Sequence, residues 1–96
     1  KLYLLAYYPV NPNVTDIPYL KEVFRHRTNT RIAAANEAVK KLAQKYGAEY
    51  LNLNDGLTDA DGNLKADFTV EGMHMYADGY RFILRNLLPV LKQIHL

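Results

Sequence analysis

The chain has 96 residues with a formal net charge of +2; 49% are hydrophobic and 23% charged. That is one small domain of ordinary globular composition, expected to bury roughly 60–65% of its unfolded surface. The charge is too weak to indicate nucleic acid or an anionic membrane as a partner, and no apolar run approaches the roughly 20 residues needed to span a bilayer. The absence of Cys removes disulfides and thiolate metal sites.

Lys1 to Tyr8 opens on an apolar stretch without an initiating Met, and no small-residue cleavage site follows it. A fragment or excised domain is therefore expected. The continuous apolar run from Leu2 to Tyr8 predicts a strand covered on both faces, as in a parallel sheet between helices. Pro9 and Pro12 end it, and a short helix is expected after Pro18.

From Asn29 to Tyr46, Ile32, Ala35, Val39, Leu42 and Tyr46 form one helical stripe. Thr28 or Asn29 is its expected cap and Gly47 its exit. Ala48 to Leu53 predicts a second short strand. Asn54-Asp55-Gly56 and Asp59-Ala60-Asp61-Gly62-Asn63 read as turns; the latter lacks the Gly and Glu positions of a calcium loop. Tyr80, Ile83, Leu84, Leu87, Leu88, Leu91 and Ile94 predict a closing helix from Ala77, kinked or divided at Pro89. Strands alternating with helices imply an α/β layer structure.

Glu71-Gly72-Met73-His74 places a carboxylate three residues before an imidazole, ahead of the closing helix. An acid that orients a basic imidazole is two-thirds of a hydrolytic triad. The third member is missing, because the chain contains neither Ser nor Cys. His26 and His95 are expected to be surface residues. Arg25, His26, Arg27 and Arg31 form a basic cluster, read as a solvated face with an anionic substrate group or nucleic acid as the alternatives. Tyr7, Tyr8, Pro9 and Asn11 follow the carboxyl end of a strand, where open α/β sheets bind ligands.

Tyr8-Pro9-Val10-Asn11, Asn36, Asn54-Asp55-Gly56, Asp61-Gly62-Asn63-Leu64, Thr69-Val70-Glu71-Gly72-Met73-His74 and Ala77-Asp78-Gly79-Tyr80 follow one another in an order that resembles the C-terminal half of the SGNH, or GDSL-like, hydrolases. These include lysophospholipase-type and platelet-activating-factor-acetylhydrolase-like esterases. The resemblance implies a flavodoxin-like three-layer parallel sheet, of which residues 1–96 are the C-terminal part. It implies His74 as catalytic base, Glu71 as its acid where the family generally has Asp, and Pro9 and Asn11 in substrate binding. The family's Ser block and oxyanion donors lie in its N-terminal half, and nothing here matches them. The implied activity is ester hydrolysis through an acyl-enzyme, with a lipid or acylated sugar as substrate and no cofactor or metal. This chain alone is expected to be inactive, and to self-associate or pair with the missing half. A non-catalytic α/β binding fragment is the alternative.

Overall fold

A computed structural model describes residues 1–94; His95, expected at the surface, lies outside the described residues. The element order is β1 (Tyr3–Leu5), α1 (Pro18–His26), α2 (Asn29–Tyr46), β2 (Glu49–Leu51), a single 3-10 turn (Ala66–Phe68) and α3 (Ala77–Ile94). The two strands pair in parallel, with Tyr3 opposite Glu49 and Leu5 opposite Leu51. A parallel pair needs a crossover, and α1 and α2 lie within it.

The predicted caps form. Thr28 Oγ1 accepts the amide of Arg31 at 3.2 Å, and Gly47 closes α2 in the left-handed conformation at φ 72°. Pro18 sits in the first turn of α1, where the missing amide removes no helical bond. Pro89 does not divide α3, which is assigned as one helix through Ile94. Arg85, whose carbonyl loses its donor, and Pro89 are both exposed, so water can take the vacant bond.

Both strands are shorter than their apolar runs. Beyond Leu5 the chain stays extended, and asparagine side chains replace a neighbouring strand. Asn36 Oδ1 accepts the Tyr7 amide at 2.8 Å, Asn54 Nδ2 donates to the Tyr7 carbonyl at 2.9 Å, and Asn29 bonds both the amide and the carbonyl of Val10 at 2.8 Å. These bonds satisfy backbone groups that the sheet leaves unpaired.

Two apolar clusters hold the fold. Leu53, Leu57, Leu64, Met75 and Ile83 pack α3 onto the loops after β2, and Val10, Leu20 and Phe24 pack α1 against the segment after β1. Much apolar surface stays outside both. Tyr80, Leu84 and Leu88, four residues apart on one face of α3, are exposed, as are Leu42 and Tyr46 on α2. Leu2, Leu5 and Tyr7 are exposed as well, so the cover expected on both faces of the first strand is not present among the described residues. The radius of gyration is 14.6 Å, whereas a compact chain of this length would have about 12.5 Å. Among the described residues no helix is long and apolar enough to cross a membrane.

Candidate active site

The site is built on the loop between the 3-10 turn and α3. Thr69 and Met75 form an antiparallel bridge across its base. The buried Thr69 hydroxyl donates to the His74 carbonyl at 2.8 Å and accepts the Gly72 amide at 2.9 Å. Val70 donates a second bond to the same carbonyl at 2.9 Å. His74 is thus anchored through its backbone while its side chain is exposed.

Gly72 allows the turn. Its φ is 107°, a region side chains avoid, and a Cβ there would overlap the Asn11 carbonyl oxygen and press on Phe24. The same close approach lets the Gly72 carbonyl accept the Asn11 amide at 2.8 Å, tying the loop to the segment after β1.

Glu71 meets the imidazole directly. Its Oε2 lies 2.6 Å from His74 Nδ1, while Oε1 accepts the amides of Met73 at 3.0 Å and His74 at 2.6 Å. Glutamate at this position therefore reaches its partner within the loop. Burial alone would push the Glu71 carboxyl up. The His74 amide, the His74 ring, the Met73 amide and the charge of the ring outweigh burial and hold it at about 2. Glu71 is therefore ionised at neutral pH, and an ionised carboxylate only accepts hydrogen bonds. Nδ1 must then carry the hydrogen, which leaves the lone pair on Nε2. Among the described residues Nε2 has no hydrogen-bond partner, so it is open to take a proton.

The other sequence-derived residues fall differently. Asn11 is buried with both ends of its amide engaged: Nδ2 donates to the Leu64 carbonyl at 2.8 Å and Oδ1 accepts the Asn13 amide at 3.0 Å. It fastens loops together. Pro9 is buried and lines a small cleft with Tyr7, Asn36 and Asn54. Arg25 and His26 both contact Glu22, at 3.0 and 3.5 Å. Arg27 instead reaches across to the loop, its Nη1 lying 2.9 Å from Met73 Sδ. Asp59 Oδ1 accepts the amides of Asp61 and Asn63, as turn chemistry requires, and no cluster suited to a metal ion occurs among the described residues.

Sequence reasoning missed Thr69 and the clamping roles of Asn29, Asn36 and Asn54. A signal was present for Asn36, which sits deep inside α2 although asparagine disfavours helix interiors.

No protein-family model matches the sequence, and no curated protein does. Among solved structures, the chain is similar to a protein from Streptococcus pneumonia that is described, provisionally, as a platelet activating factor. The two share 33% identity and a TM-score of 0.79 over 95% of this chain. The chain spans 41% of that protein's length.

The Glu71 interactions make stability depend on acid. A carboxyl held at about 2, below its ordinary value of 4.5, contributes stability that is complete above the higher value and lost as pH falls through the lower one. Urea unfolding of the wild type should weaken between about pH 5 and pH 2 more steeply than that of Glu71→Gln. Parallel pH profiles for the two proteins would show that the carboxylate is not held as described.

Proposed function

We propose that this chain is the C-terminal part of an SGNH-type hydrolase domain and supplies its base, His74, and acid, Glu71. The observation that carries this is the Glu71–His74 contact at 2.6 Å, with Nε2 turned to no partner among the described residues. The Streptococcus pneumonia structure supports it, because the likeness extends over nearly the whole chain while more than half of that protein has no counterpart here.

The proposed reaction is serine ester hydrolysis. A serine from another stretch of polypeptide gives its proton to His74 Nε2 as its oxygen attacks the ester carbonyl. The imidazolium, held opposite Glu71, then protonates the leaving alcohol and leaves an acyl-serine. Water repeats the two transfers, releasing the acid and restoring the serine. Proton transfer of this kind contributes roughly 10²–10⁴-fold. The substrate would be an ester of a lipid or an acylated sugar.

Completion of a flavodoxin-like parallel sheet by that second stretch would also cover the bare apolar faces. The exposed stripe Tyr80, Leu84 and Leu88, the unpaired strand edges and the expanded radius of gyration all favour such a partner. In its absence a second copy of the chain would serve. Sedimentation velocity should therefore find the isolated chain self-associated, with Leu84→Lys/Leu88→Lys shifted toward monomer; a monomeric wild type across the micromolar range would count against it.

Catalysis is tested with a fluorophosphonate probe on the full-length protein that contains this chain. That protein should be labelled on a serine, at a rate lowered by at least about 10³-fold in His74→Ala. The 96-residue chain alone should take no label. Labelling indifferent to His74→Ala would leave a non-catalytic α/β binding module.

A further inference from the structure

Beside the His74 loop lies a groove of about 970 Å³. That is within the usual range for small-molecule sites, roughly 300–1,000 Å³. Its walls are largely apolar, built from Tyr8, Val10, Val23, Ile32 and Met73, and His26, Arg27 and Arg31 are the basic side chains that line it. Met73 precedes His74 directly, so the groove runs up to the loop that carries the base.

The cations are not neutralised from within. Arg25 and His26 share Glu22, but Arg27 and Arg31 have no carboxylate partner among the described residues. Arg27 touches the Met73 thioether, a weak acceptor that leaves most of the guanidinium's donors free. Arg31 Nη1 donates to the His26 carbonyl at 3.1 Å, which holds its head near the end of α1. Arg31 also stands in the first turn of α2, which contains no acidic residue and where the helix dipole already presents positive charge. Two guanidinium groups without a carboxylate partner therefore line one apolar groove, and a bound anion would offset their charge.

We propose that this groove selects esters bearing an anionic group, with the apolar body against Tyr8, Val10 and Ile32 and the anion on Arg27 and Arg31 as specificity determinants. The inference rests on the esterase reading above. Planar guanidinium groups suit carboxylate and phosphate alike, so the shared feature is a negative oxyanion on an apolar chain.

Binding can be measured on the same protein used for the labelling test, by calorimetry with hexyl phosphate, hexanoate and the neutral hexyl glucoside. At least one anion should bind about tenfold more tightly than the glucoside, with a preference that weakens as salt is added. Arg27→Gln/Arg31→Gln should abolish the preference, and Arg25→Gln, whose partner is Glu22, should keep it. Preference for the phosphate alone would identify phosphorylated esters, and for hexanoate alone carboxylated ones. Equal affinity for all three ligands, including none measurable, overturns the proposal, as does an equal loss in Arg25→Gln. Anion binding needs neither serine nor proton transfer. A retained anion preference with labelling indifferent to His74→Ala would therefore count against the esterase reading alone.

Discussion

The two oxygens of the Glu71 carboxylate hold different things, and the candidate site depends on that division. Oε1 takes the amides of Met73 and His74, which fixes the turn, while Oε2 takes the imidazole. One group thus shapes the loop and orients the ring that the loop presents. Glutamate suits this double task because its longer side chain can fold back over the turn and still meet Nδ1. The same bonds keep the carboxylate ionised far below neutral pH despite its partial burial.

Around that carboxylate, rigidity comes from backbone contacts that a side chain at Gly72 would forbid. Thr69 and Val70 grip the His74 carbonyl, and Asn11 grips the Gly72 carbonyl. The second contact matters beyond the loop, because Asn11 continues from the segment that Asn29, Asn36 and Asn54 hold in place of a sheet neighbour. The loop bearing His74 is therefore registered against the end of β1, the place where α/β sheets put their ligands. The apolar groove opens along that segment, and Met73 joins the groove to the His74 loop.

The helices were legible because their signals are local. Stripe periodicity, Thr28 and Gly47 delimit α2, and the start of α3 at Ala77 follows from its apolar repeat. The contact between Glu71 and His74 was legible for the same reason, since three residues of spacing bring them within reach on one loop. Cover for Leu2, Leu5 and Tyr7 was not, because an apolar run shows that a segment wants burial without showing what buries it. Nor was the role of Asn11, whose position at a strand's carboxyl end is equally compatible with facing a ligand or turning inward to Leu64. Pro89 misled because a lost backbone bond is cheap where water reaches the carbonyl.

The central claim is that an ionised Glu71 fixes the His74 ring with its hydrogen on Nδ1 and a free lone pair on Nε2. Nitrogen-15 NMR of the histidine side chains distinguishes the two neutral tautomers directly. For the neutral ring, the account predicts the Nδ1–H form for His74 in the wild type and loss of that bias in Glu71→Leu. A predominant Nε2–H form in the wild type, or a tautomer ratio unaffected by Glu71→Leu, would contradict it.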